Sequence, residues 1–552
     1  MPLQRREDSI PQPYTVPTTG EWDGNDGPWS SFRLSVGTPP QDFRVLVSTR
    51  GHETFVLDPH GCTSTDPSNC TSARGAEPFN GAQSSGFNTN ASSTWDIIGI
   101  YDLGLEAELG YTGNGQYGYD TIRLGYSQDQ SAPALDRQVV ASITDKSFFM
   151  GVIGLSPTSS SFTSISEPVK SFFRQLKQSN SIPSESYAYT AGAPYRYNKV
   201  LGNLILGGYD QARIASPPSF NFTFASDESR DLVVGVQSIT ATSSLNGVVA
   251  MTRTGHLSVV DSTVAELWLP TDVCDAFASN FGLSYDENTT YYLVNDTIHS
   301  RLVELNPTIT FKLGNEIYTS ATNSTNIALP YAAFDLQVGY PHYNTSQRYF
   351  PIRRGANDSQ YTLGRTLLQE AYLIVDHERR NFTIAQTKFS DPLPSPDIVS
   401  ILSPGTDDHG ETLGSATGLS AGATAGIAVA VSVFGVFALV ALIFCWRRRR
   451  RTHRPEFRPD AAWEQQQQQQ QESKPYGYPR PPLIESDSNQ RFEMQGQGGL
   501  SPQDKNRQEL DPGRDVAYEL ASAHVPMVYE MDGNAAQQRE NSRKHNRFSY
   551  QR

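Results

Sequence analysis

The sequence predicts a mainly β, two-lobed ectodomain, followed by a single transmembrane helix and a disordered tail. Three observations predict it. Between residues 30 and 390, short apolar alternations such as Phe32, Leu34, Val36 and then Phe43, Val45, Val47 are separated by Gly, Asn, Asp and Ser, the period of strands with one face inward. VLVSTRGHETFVL (Val45 to Leu57) returns as SVVDSTVAELWLP (Ser258 to Pro270) at an offset of 213 residues, the mark of a duplicated lobe. Twenty-one residues from Gly426 to Trp446 carry no charge, enough for about 31 Å of helix and so for crossing a hydrocarbon layer.

Taken in chain order, residues 1–25 form an N-terminal segment. MPLQRREDSIPQPYTVPTTG contains no apolar run of the kind a signal peptide needs, so the natural signal peptide is expected to be missing from this sequence. The first lobe is expected over 26–212 and the second over 213–389. Within the repeat Ser48 faces Asp261, Glu53 faces Glu266 and Phe55 faces Trp268, and each half later carries an apolar pair before glycine, Val152-Ile153-Gly154 and Thr362-Leu363-Gly364. Helical periodicity is best at Glu167–Gln178 and Val273–Phe281. Residues 390–423, rich in Ser, Gly, Pro and Thr, read as an extended stalk. The transmembrane helix is placed at 424–446, and Arg447 to Arg451 behind it put that end in the cytosol. The ectodomain then lies outside a plasma membrane or secretory-pathway membrane. Residues 447–552, with glutamines from Gln465 to Gln471 and no sustained period, read as a disordered cytosolic tail with room for an adaptor.

Charge and cysteine usage agree with an exported domain. Residues 1–446 carry a net charge of −17, a surface that repels phosphate backbones and argues against nucleic acid as a partner. Cys62 and Cys70 are close enough for a small-loop disulfide, which needs an oxidising compartment. Asn-x-Ser/Thr acceptors stand at Asn69, Asn90, Asn221, Asn288, Asn295, Asn323, Asn344, Asn357 and Asn381, with none beyond residue 446. That segregation reads as glycosylation of the outer part.

The segments SVGTPPQDFRVLVSTR (Ser35 to Arg50), GVIGLSP (Gly151 to Pro157), NLILGGYD (Asn203 to Asp210) and YTLGRTLLQEAYLIVDHERRNFTIAQ (Tyr361 to Gln386) resemble, in the same order, those of the pepsin-like aspartic proteases, and most closely their membrane-anchored fungal surface forms. The resemblance implies the two-lobed acid-protease fold and, in an active member, two carboxylates across the lobe junction that share one proton. The ionised one activates water while the other protonates the scissile carbonyl. Each carboxylate normally stands in an Asp-Thr/Ser-Gly loop. Here the first loop reads Ser48-Thr49-Arg50 and the second Asp261-Ser262-Thr263. Asp261 keeps one catalytic position and Ser48 replaces the other aspartate. Arg50 and Thr263 replace the glycines, and Thr49 and Ser262 match the hydroxyls that link the two loops. Arg50 is expected to hold Asp261 as an inert carboxylate. GYTGNGQYGYD (Gly110 to Asp120) occupies the place of the family's flap, in shortened form. With Cys62 and Cys70 paired, Cys274 is expected to be a buried free thiol. No metal or other cofactor is implied.

A degenerate dyad points to a non-catalytic surface glycoprotein, a receptor or cell-wall sensor whose cleft holds a peptide, a polypeptide or a cell-wall polymer. Two alternatives stand beside it. One is an active membrane-anchored aspartic endopeptidase, in which Glu53 swings toward Ser48. The other is a structural or adhesive glycoprotein.

Overall fold

The computed structural model describes residues 10–406, apart from 163, 217–219 and 319–322. It is built mainly of strands, in two eight-stranded sheets and one six-stranded sheet with two smaller ones beside them. The first large sheet runs, in spatial order, Thr18–Asp23, Trp29–Val36, Gln41–Ser48, Gly151–Gly154, Thr54–Leu57, Ala134–Ile143, Asn114–Arg123 and Asp96–Asp102. The second is drawn entirely from Val233 to Leu363 and is organised around the long strand Val233–Ser244. Phe32, Leu34, Val36, Phe43, Val45 and Val47, the alternating residues that predict strands, are all buried.

The duplication is visible in the strand pairing. Gln41–Ser48 runs parallel to Gly151–Gly154, with Ser48 opposite Gly154, and Thr54–Leu57 pairs antiparallel to the other edge of that same short strand. In the second lobe His256–Val260 runs parallel to Thr362–Leu363, and Leu267–Pro270 pairs antiparallel to its far edge. Each of these short strands, ending at Gly154 or just before Gly364, is thus wedged between the strands that enter and leave the loop at Ser48 or Asp261.

The six-stranded sheet joins the lobes. Its order is Tyr14–Thr15, Asn203–Leu206, Ser186–Thr190, Ala371–Asp376, Asn381–Gln386 and Phe222–Thr223, so its central pair joins a strand from before residue 212 to one near residue 375. Helices run Phe172–Gln178, started by the Ser171 cap, and Thr271–Phe281, stopped by left-handed Gly282. A third helix, Asp296–Leu305, was not anticipated; Asn295 caps it, accepting from the Ile298 N–H at 2.9 Å.

Two sequence-based expectations change. Tyr14–Thr15 and Thr18–Asp23 place part of the N-terminal segment inside the sheets. Of the expected stalk, Ile398–Ser400 pairs with Gly208–Asp210, and the Asp397 N–H donates to Asp210 at 2.9 Å; backbone groups that find partners in a sheet do not stay extended in water. Among the described residues no helix is long and apolar enough to cross a membrane. The span placed at 424–446 and the tail at 447–552 lie outside the described residues.

Candidate functional site

The loops at Ser48 and Asp261 meet at the lobe junction, where the two halves grip one another. The Thr49 N–H donates to Ser262 Oγ at 3.0 Å, and the Ser262 N–H donates to Thr49 Oγ1 at 3.0 Å. Each hydroxyl then donates to the strand entering the opposite loop, Thr49 to the Val260 carbonyl at 3.4 Å and Ser262 to the Val47 carbonyl at 2.6 Å. All of these groups are buried, so the Thr49 and Ser262 N–H groups, out of reach of water, are each satisfied by the side chain of the opposite loop.

Around this grip the hydroxyls form a directed chain. The Gly51 N–H donates to Ser48 Oγ at 2.6 Å, and Ser48 Oγ lies 2.6 Å from Thr263 Oγ1, which in turn lies 2.6 Å from Asp261 Oδ1. A carboxylate only accepts, so Thr263 spends its hydrogen on Asp261 and Ser48 must donate to Thr263. The Thr263 N–H also reaches Asp261 Oδ1, at 2.8 Å. Ser48 therefore serves as a neutral link that polarises toward Asp261, with no hydrogen left to give elsewhere.

The other oxygen of Asp261 faces a residue that sequence reasoning missed. Strands Asp96–Asp102 and Asn114–Arg123 form a hairpin whose tip, residues 103–113, carries the short helical turn Ala107–Leu109. This hairpin, hereafter the flap, holds most of the segment Gly110 to Asp120 expected as the flap and begins before it. Glu106, at the start of the turn, has φ +58° and is fully buried. Its carboxyl is close enough to that of Asp261 for the Asp261 charge to act on it. Glu106 Oε1 and Asp261 Oδ2 are buried with no N–H or O–H donor directed at them, and one proton between the two carboxyls satisfies both. Burial raises the Glu106 carboxyl well above the ordinary carboxylate range, the Asp261 charge raises it further, and Arg50 opposes both.

Arg50 reaches this pair from the first loop. Its guanidinium donates to Glu106 Oε2 at 2.9 Å, to Glu108, and to the Ser229 carbonyl at 2.8 Å. The expected direct grip of Arg50 on Asp261 is replaced by one through Glu106, because the flap tip brings a second carboxyl between them. Glu108 extends the bridge to the second lobe: its carbonyl accepts from Gln360 Nε2 at 2.6 Å. The Tyr111 side chain packs on Phe148, and its hydroxyl faces the charges of Glu266 and Arg353.

Other sequence candidates are held elsewhere. Glu53 accepts from Tyr117 at 2.8 Å and Ser160 at 2.6 Å, which fixes it as a support for the flap's base. Its twin Glu266 pairs with Arg353 at 3.4 Å. Of the histidines near the two loops, His52 faces Glu53 and His256 packs edge-on against Tyr361. Cys62 and Cys70 are joined in a disulfide, and buried Cys274 is free, its thiol pushed up to about 12 by burial. Of the nine sequon asparagines, Asn69, Asn90, Asn221, Asn288, Asn295, Asn323, Asn344 and Asn357 are exposed and Asn381 is half-buried.

Residues 31–387 match the profile described as "Eukaryotic aspartyl protease", well over half of the chain. The chain belongs to that family. Among its similar relatives, "Secreted aspartic protease 8" of Candida albicans is 25% identical over 369 residues, 66% of this chain and 78% of the relative. "Candidapepsin-1" of Candida albicans (strain WO-1) is 23% identical over 362 residues, 65% of this chain and 81% of the relative. "Pepsin B" of Canis lupus familiaris is 22% identical over 356 residues, 62% and 77% respectively. The family is one of aspartic endopeptidases. The single-pass membrane localisation expected from the sequence is corrected by these findings. "Secreted aspartic protease 8" is by name a secreted protease, and the described residues hold no helix long and apolar enough to cross a membrane.

Proposed function

We propose that this chain is an exported, glycosylated, non-hydrolytic member of the eukaryotic aspartyl protease family whose cleft holds a polypeptide or polymer strand without cutting it. The observation that carries the reading is the direction from which Asp261 receives its second carboxyl. Hydrolysis by an acid pair needs a water held between the carboxyls and a substrate carbonyl above them. Glu106 reaches Asp261 from the flap, through the space that substrate would enter, while the first loop offers Ser48, whose hydroxyl has no role as an acid near neutrality. With the flap down, water and substrate have no place; with the flap raised, Asp261 has no acidic companion.

A second reading, hydrolysis by the Glu106 and Asp261 pair itself, is favoured by their contact alone. Incubating the purified protein with an unfolded, alkylated protein between pH 3 and 6 separates the two. The expected outcome is retention of the intact polypeptide with no new termini. Pepstatin-sensitive cleavage that Asp261→Asn abolishes would overturn the non-hydrolytic reading.

A further inference from the structure

The flap tip is held by groups that a loop with no task would not bury. Glu106 combines complete burial with a left-handed backbone, which residues other than glycine adopt only where the surrounding structure compels it. Its Oε2 accepts from Arg50 of the first lobe, while Oε1 is buried with no donor and the carboxyl feels the charge of Asp261 on the second lobe. We propose that Glu106 is a proton-operated latch: its protonated carboxyl, lodged between Asp261 and Arg50, holds residues 103–113 across the cleft, and loss of that proton releases them and uncovers the groove. The latch rests on the binding reading only for what enters the groove once it is open.

The groups around it set the sign. On the flap itself stands Glu108, and from the first loop comes Arg50. The second loop supplies Asp261, with the Thr263 and Ser48 hydroxyls behind it. The segment around Ser229 adds Asp227 and Arg230, whose charges act on Arg50, and the joining sheet adds the neutral Tyr187 hydroxyl. Without the shared proton, Glu106, Glu108 and Asp261 crowd as carboxylates around Arg50, and the first and third of them are buried side by side. Like charges so placed repel. In the raised flap Glu106 returns to water and to the ordinary carboxylate range near ~4.3. The closed form thus binds one proton more than the open form at any pH between that range and the raised value of Glu106 in the closed cleft. The closed-to-open ratio falls by up to about tenfold per pH unit across that window, and the flap opens as pH rises.

Hydrogen exchange of the full chain tests this, since the Leu103, Leu109, Gly110 and Tyr111 N–H groups all bond within the flap tip. Protection factors there, referenced to amides of Val233–Ser244, should fall at least about tenfold between pH 4.5 and 8 in the wild type. Glu106→Gln keeps a donor for Asp261 but cannot ionise, and its protection should stay level. A level wild-type profile, or an equal fall in the variant, would overturn the latch. Should the variant fail to fold, the infrared band of a protonated carboxyl in the 13C-glutamate-labelled wild type decides: it should vanish over the same pH range as protection, and its absence at low pH would overturn the proposal. Neither readout depends on turnover, so a failed latch is distinguishable from a failed non-hydrolytic reading.

Discussion

Thr49 and Ser262 tie the two lobes together at their junction. Both hydroxyls satisfy a buried N–H on the opposite lobe and donate onward to a carbonyl, so the junction depends on them whether or not any bond is cleaved. Thr49→Ala leaves the Ser262 N–H buried without an acceptor and should lower stability by about 1–3 kcal/mol, whereas Thr49→Ser, which keeps the oxygen, should cost less than about 1 kcal/mol. Denaturant unfolding of the two variants checks this; equal losses would mean that the methyl group, not the hydroxyl, matters. These residues were legible in the sequence because each sits beside Ser48 or Asp261 in the chain. Glu106 was not, because it lies 56 residues from Arg50 and meets it only when a hairpin folds over. The signal that could have found it is Arg50 itself. A guanidinium that replaces a glycine at a buried turn needs a carboxylate, and the tip LEAEL offers two within five residues.

At the scale of elements, the duplication read from Val45–Leu57 and Ser258–Pro270 became two copies of one strand arrangement. The glycine closing each apolar pair is demanded by close approach of backbone. A Cβ on Gly364 would lie 2.3 Å from the Glu266 carbonyl oxygen and 2.6 Å from that of Val264, and one on Gly154 would lie 2.5 Å from the Gly51 carbonyl oxygen. Backbone cannot swing aside as a side-chain tip can, so Gly364→Ala should displace the second loop and cost about 1–3 kcal/mol or more. A melting temperature within error of the wild type would show that the loop yields freely. Periodicity read such internal strands well but missed the strand at Ile398–Ser400 and the helix Asp296–Leu305. Three residues in a Pro- and Ser-rich segment carry no period of their own, and the helix starts at an asparagine that reads equally well as a sugar acceptor.

Over the whole molecule, the shared six-stranded sheet makes acid response a property of both lobes together. His377 follows the sheet strand Ala371–Asp376, packed among Phe173, Tyr187 and Phe224, and burial lowers it to about 3. His256, on the second lobe's sheet, is lowered to about 4 for the same reason. Both stay neutral in the native state while an unfolded chain takes up protons below ~6.5, so each contributes stability that is complete above that pH and is lost as pH falls toward its native value. Asp231 acts in the opposite sense. It lies 3.6 Å from His377, and burial raises it to about 6, so the native state takes up its proton first and gains stability on acidification between about 6 and 3.8. The wild-type curve should therefore be flatter than two buried histidines alone would make it. His256→Phe and His377→Phe should each remove up to about 1.4 kcal/mol per pH unit of acid sensitivity between pH 6.5 and 4. The slope of stability against pH, taken from guanidinium unfolding at each pH, is the readout, because the ring substitution also shifts absolute stability. A variant whose slope matches the wild type would mean that its histidine is protonated in the fold, and that the burial argued for it is relieved by water or by a partner.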